Sequence, residues 1–148
     1  MTRVLVLDEE NSMSQSYKFI LEKMDCKVDV AKDSFDALDC FIHRIYDLVI
    51  TDFNLDNIDG LQMLEHFQQI DSKIPVIFSS FLADEDVIEE ILSSGAFDFI
   101  PKPADVDHLL RAFTKALTDR PHSVSDNQLP NSDTCHVQSS QRYPKVQD

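Results

Sequence analysis

Positive charge is what this sequence most lacks. Its 148 residues carry 13 Lys and Arg against 27 Asp and Glu, a formal net charge of −14. A phosphate backbone is gripped by basic patches, so this balance argues against nucleic acid as a direct partner. It also disfavours an anionic membrane surface. No run of ~18 consecutive apolar residues occurs, so no stretch reads as a membrane-crossing helix. The opening MTRVLVL goes straight into a strand pattern and lacks the layout of a secretory leader. Cysteine is sparse too: Cys26, Cys40 and Cys135 are scattered and odd in number. That fits reduced thiols packing as small residues better than a disulfide framework or a zinc site. His43, His66, His108, His122 and His136 show no ligand spacing and are expected at the surface or in a tail. The expected location is therefore cytoplasmic.

What is present is a regular alternation. The length suggests one domain, and an apolar fraction of 43% is ordinary for a globular chain. RVLVL (3–7) is a short apolar run with β-branched residues, a first strand. Met13, Tyr17, Ile20, Leu21 and Met24 then recur at helical spacing. KVDVA alternates as a half-buried strand does. Asp33 or Ser34 can cap a second helix, with Ala37, Leu38, Phe41, Ile42 and Ile45 on its apolar face. DLVIT is a third strand, followed by a helix marked by Leu61, Leu64 and Phe67. IPVIFS is a fourth, and Asp84 can cap a helix that turns Val87, Ile88, Ile91 and Leu92 inward. FDFI is a fifth, before a helix striped by Val106, Leu109, Leu110, Phe113 and Leu117.

Five β–α units in strict order imply parallel strands with right-handed crossovers and helices on both faces. The first, third and fourth strands are almost wholly apolar, as doubly covered strands are, and the alternating second suits an edge. The expected fold is a doubly wound α/β sheet of order 2-1-3-4-5, flavodoxin-like. The pattern stops near Asp119. Residues 120–148 are polar and aperiodic, which reads as a disordered tail or linker. The tail balances Arg120, Arg142 and Lys145 against Asp126, Asp133 and Asp148, so the acidic excess lies entirely in residues 1–119.

Ligands of such sheets sit outside the carboxyl ends of the central strands. In this chain those ends hold Asp8, Glu9 and Glu10, then Asp52, then Ser79 and Ser80, and finally Lys102 between two prolines. A cis bond at Pro103 would aim that lysine inward. Carboxylates brought together repel one another. A divalent cation resolves the conflict, and a few hard oxygens on an open site suit Mg²⁺. Lys102 adds a fixed positive charge and Ser80 a hydroxyl. One carboxylate is then left as a nucleophile facing an arrangement fit to hold a phosphoryl group. Each residue taken alone is as well explained by an ordinary cap or turn; their convergence on one edge is the signal.

VLVLDEE, DLVITDFNLDNIDG, PVIFSS and GAFDFIPKP together resemble the receiver domain of two-component response regulators, over residues 3 to about 118. The resemblance implies that Asp52 is the phosphoacceptor. It implies that Asp8 and Glu9 hold Mg²⁺ together with Asp52 and the backbone carbonyl of Asn54. Ser80 would be the switch hydroxyl, Phe99 the aromatic switch and Lys102 the phosphoryl-binding lysine. Gly60 and Gly95, the two glycines of the chain, fall at loop positions of the pattern. A sensor histidine kinase or phosphotransfer protein would supply the phosphoryl group. The output would be a protein partner on the surface of the fourth helix, fifth strand and fifth helix. No enzymatic turnover is implied beyond Mg²⁺-dependent self-phosphorylation and self-dephosphorylation.

Four positions depart from the family pattern. Glu9 stands where Asp is commoner, which should shift the metal. Phe81 stands where a small residue is usual, and its ring is expected to gate access to Asp52. Asp56 replaces a proline, with looser packing as the expected result. Phe99 lacks the hydroxyl of the commoner tyrosine, and a plain core aromatic is the alternative for it. The acidic DEDVIEE of the fourth helix departs from the mixed-charge face by which winged-helix regulators dimerise. Other readings remain open at this level: the N-terminal part of a longer regulator, or a degenerate receiver that binds without phosphorylation. A haloacid-dehalogenase-type phosphatase would need a second acid where Asn54 stands. A flavodoxin would need a hydroxyl-rich loop where DEENSM stands.

Overall fold

The ten elements of the computed structural model alternate strictly, and the model describes residues 1–9, 11–56, 58–81, 84–102 and 105–119. They are β1 (Arg3–Leu7), α1 (Asn11–Glu22), β2 (Lys27–Ala31), α2 (Ser34–His43) and β3 (Leu48–Asp52), then α3 (Gly60–Ile70), β4 (Val76–Ser80), α4 (Glu85–Ser93), β5 (Asp98–Pro101) and α5 (Val106–Asp119). All strand pairs are parallel and the order is β2-β1-β3-β4-β5. The expected edge position of β2 and the whole strand order hold. Glu10, Pro103 and the tail expectation for 120–148 lie outside the described residues.

Strand side chains alternate between faces, and this divides the core in two. Leu5, Leu7, Val49, Val76, Phe78 and Phe99 point to one face, where Ala37 and Phe41 of α2, Met63, Leu64 and Phe67 of α3 and Ile91 of α4 cover them. Val4, Val6, Ile50, Ile77 and Ile100 point to the other. There Tyr17 and Leu21 of α1 meet Leu109, Ala112, Phe113 and Ala116 of α5. Burying one such side chain contributes about 2 kcal/mol relative to leaving it exposed, so the two layers carry the sheet.

Helix ends follow local chemistry. Asp33 caps α2 by accepting from the Asp36 amide, and Asp84 caps α4 by accepting from the Val87 amide, each an orphan donor otherwise. Asp59 and Gln62 form a reciprocal capping box at the start of α3. Four expected inward residues are instead exposed: Met24, Ile45, Leu92 and Val106. Met24 lies in the turn after α1, next to Asp25 at φ 62°. Ile45 lies beyond Arg44, where the chain leaves α2 in extended conformation. In α4 the neighbouring Ile91 takes the buried position, and Val106 is the first residue of α5.

The glycines divide as well. Gly95 has φ +111° after α4, a conformation that only glycine adopts without strain. Gly60 opens α3 rather than sitting in a loop. A Cβ there would stand 2.7 Å from the carbonyl oxygen of Phe53, so close approach rather than backbone freedom requires glycine.

Candidate functional site

Strand register assembles the site. Asp52 is the last residue of β3 and lies beside Ser79 of β4, while Ser80 lies beside Pro101 of β5. The Lys102 amide donates to the Ser80 carbonyl at 2.9 Å, which extends this pairing by one residue and fixes where the lysine begins. Asp8 follows β1, in step with the inward Val4 and Val6.

Three charged groups meet there. Lys102 Nζ stands 2.7 Å from Asp8 Oδ2 and 3.1 Å from Asp52 Oδ2. The side chains of Lys102 and Asp8 are 1% and 2% exposed and that of Asp52 is 14% exposed, so only Asp52 opens toward solvent. Burial alone would lower the lysine pKa. The hydrogen bond that Lys102 donates to Asp8 and the charges of Asp52 and Asp8 outweigh it, and Lys102 is held above its ordinary value, a cation throughout the physiological range.

The loop after β3 binds both Asp52 and β4. The Asn54 amide donates to Asp52 Oδ1 at 3.0 Å, and Asn54 Nδ2 donates to Ser80 Oγ at 2.8 Å. The same residue bridges to Asp59 ahead of α3. Only the Asn54 carbonyl had been expected to take part; its carboxamide is an addition that neither periodicity nor spacing signals.

Ser79 and Ser80 serve opposite faces of β4. Ser79 shares a hydrogen bond of 2.5 Å with the hydroxyl of Tyr17, and both residues are 1% exposed. Burial raises the Tyr17 pKa, and neither the bond to Ser79 nor the charge of Lys102 reverses this, so the phenol stays protonated. At the sequence level Tyr17 was one position of an apolar helical stripe. Its polar end became relevant only once α1, packed on β1 and β2, brought it to Ser79 of β4.

Glu9 is turned aside: its Oε1 accepts from the Asp56 amide at 3.1 Å. Looser packing was the expected consequence of Asp56, and the structure instead gives that position a partner, through an N–H that proline would lack. Burial, followed by the charges of Asp56 and Asp52, raises the Glu9 pKa despite the Asp56 amide bond. Phe81 is 52% exposed, with its ring centroid 5.3 Å from Lys102 Nζ. Phe99 is buried in the core beside Phe78 of β4.

The donor set suits a hard divalent cation. Asp8 and Asp52 flank one ammonium, and burial first, then the charges of Asp56 and Asp52, raise the pKa of Glu9. Oxygen ligands with room for water are what Mg²⁺ takes. Among the described residues no three acidic, His or Cys side chains are pre-gathered as a metal cluster. Asp8 and Asp52 face Lys102, and Glu9 faces the Asp56 amide.

A parallel sheet of this order, with two carboxylates and a buried lysine at its carboxyl edge, defines a receiver-type domain. The model of the response regulator receiver domain matches residues 4–114, and the chain belongs to that family. It is 30% identical over 116 residues to the chemotaxis protein CheY of Bacillus subtilis, covering 78% of this chain and 97% of that one. It is 32% identical to the transcriptional regulatory protein TdiR of Thauera aromatica over 77% of this chain and 50% of that one. The chain spans 26% of ZraR of Klebsiella oxytoca and 22% of the transcription factor SKN7 of Candida albicans, so these relatives are much longer. Among solved structures, a receiver domain protein from Clostridium thermocellum superposes with a TM-score of 0.75 at 28% identity, covering 80% of this chain and 95% of that one.

Proposed function

We propose that the chain is a phosphoacceptor switch in which Asp52 takes the phosphoryl group. The observation that carries this reading is the Lys102 ammonium, buried and shared between Asp8 and Asp52. An Asp52 oxygen attacks phosphorus in line, the O–P bond forms, and the P–N bond of a phosphohistidine on a sensor kinase or phosphotransfer protein breaks. The imidazole leaves with the electron pair and takes a proton from water. Lys102 holds the second carboxylate oxygen and the charge that develops on the phosphoryl group. Mg²⁺, held by Asp8, Glu9, Asp52 and the Asn54 carbonyl, would supply further positive charge to the phosphoryl oxygens.

Ser80 closes on the phosphoryl group and Phe99 fills the space it leaves, which alters the surface of α4, β5 and α5 for a protein effector. The ring of Phe81 over Lys102 is the gate. The chain works in the cytoplasm, turns over no separate substrate, and makes no direct contact with nucleic acid or membrane. Its acidic charge supports the last point; none of the described helices is long and apolar enough to cross a membrane. Several relatives are named as transcriptional regulators and are far longer, which favours one second reading: this chain is the receiver part of a larger regulator whose effector lies elsewhere.

Intact mass after incubation with a small phosphoryl donor tests the proposal. One phosphoryl gain is expected, dependent on Mg²⁺ and absent in Asp52→Asn. No gain from either a small donor or a cognate kinase would leave a degenerate receiver that binds without phosphorylation.

A further inference from the structure

We propose that the carboxamide of Asn54 is a latch that holds Ser80 in its unphosphorylated position, a role that rests on the receiver reading of Asp52 and Ser80. Asn54 grips two things at once. Its backbone N–H donates to Asp52 Oδ1 at 3.0 Å and its side-chain Nδ2 donates to Ser80 Oγ at 2.8 Å. The first bond pins the loop to the acceptor carboxylate. The bridge from Asn54 to Asp59, and the capping box by which Asp59 starts α3, pin the other side of the loop.

With its backbone tethered at both ends, Asn54 cannot follow a serine that moves. Ser80 sits at the end of β4, and approaching a phosphoryl group on Asp52 stretches the bond from Nδ2 until it breaks. In that bond the Ser80 oxygen is the acceptor and the Asn54 carboxamide the donor. Asn54 therefore stabilises the resting state selectively. It is a positioning residue, distinct from the Asn54 carbonyl expected at the metal. A ligand that mimics the phosphoryl group works against the latch and binds more weakly by the cost of opening it.

The test is the affinity of the chain for beryllofluoride in the presence of Mg²⁺, followed by amide chemical shifts in NMR titrations. Asn54 is exposed, so Asn54→Ala is expected to fold normally. The variant should bind the analogue about fivefold more tightly, the size of one ordinary net hydrogen bond. In a Ser80→Ala background the same change should have no effect, because the latch has lost its partner. A loop-packing role would give equal effects in both backgrounds and overturn the inference, as would weaker or unchanged binding in Asn54→Ala alone. Wild-type protein that neither binds the analogue nor gains a phosphoryl group would overturn the receiver reading and the latch with it. Normal wild-type binding separates the two failures.

Discussion

Lys102 stands closer to Asp8 than to Asp52: its ammonium is 2.7 Å from Asp8 Oδ2 and 3.1 Å from Asp52 Oδ2. Asp8 is the more deeply buried carboxylate, so the lysine's first electrostatic task is to neutralise Asp8. Its hold on Asp52 is the looser one, which leaves that carboxylate accessible at the site mouth.

Lys102→Met should destabilise the fold as well as abolish stable phosphorylation. It leaves Asp8 buried without its counter-charge, a change that costs about 3 kcal/mol. Lowering the pH or adding Mg²⁺ should recover part of the loss. The wild-type lysine pKa is raised above 10.5, so its contribution is complete below that value and fades as pH rises through the higher folded-state pKa. Urea unfolding across alkaline pH should show this decline in the wild type and lack it in the variant.

Phe81→Ala should open the site. The ring is half exposed and lies over the Lys102 ammonium, which itself stands 3.1 Å from Asp52. Phosphorylation by a small donor and hydrolysis of the acyl phosphate should both quicken, on the order of two- to fivefold, the scale of one partly exposed cation–π contact. Unchanged rates in stopped assays would remove Phe81 from the gate.

Tyr17→Phe should cost about 1–2 kcal/mol, because it strands the buried Ser79 hydroxyl. Adding Ser79→Ala should return most of that stability, since the unsatisfied group is then gone. Denaturant melts of the two single variants and the double variant give the coupling directly. Additive losses would mean that the two hydroxyls do not depend on one another.

Asp29 on the edge strand takes three donors on one oxygen: Tyr46 Oη at 2.7 Å, Arg3 Nη1 at 3.1 Å and Arg44 Nη1 at 3.2 Å. Burial alone would raise its pKa, but Tyr46, Arg3 and Arg44 together hold it below 3.8. The stability it contributes is present above 3.8 and is lost as pH falls through the lower folded value. Asp29→Asn should therefore be less stable than wild type by about 1 kcal/mol at neutral pH. The gap should narrow in strong acid, and a gap independent of pH in urea melts would contradict this.

The sheet was legible because its cause is local. Apolar runs of five residues separated by helical periodicity leave few topologies, and parallel crossovers of fixed hand leave fewer. Once the strands are placed, the residues at their carboxyl ends are placed too. Asp8, Asp52, Ser80 and Lys102 could thus be gathered from the sequence, and the structure brings them to one edge. The exposed positions of Met24, Ile45, Leu92 and Val106 were not legible, because a helix's last turn and its rotation are set by what it packs against.

The order of elements, the acidic surplus of residues 1–119 and the residue types at each strand end can be read along the chain. Those depend on periodicity, composition and chain direction, which are written along the chain. Packing in three dimensions set which polar groups meet: Tyr17 with Ser79, Asn54 with Ser80, and the Asp56 amide with Glu9. These pairs join residues far apart in sequence, and a hydrogen bond forms only within a few tenths of an ångström of its ideal length. No one-dimensional pattern encodes that distance. It follows from register, helix rotation and loop path acting together.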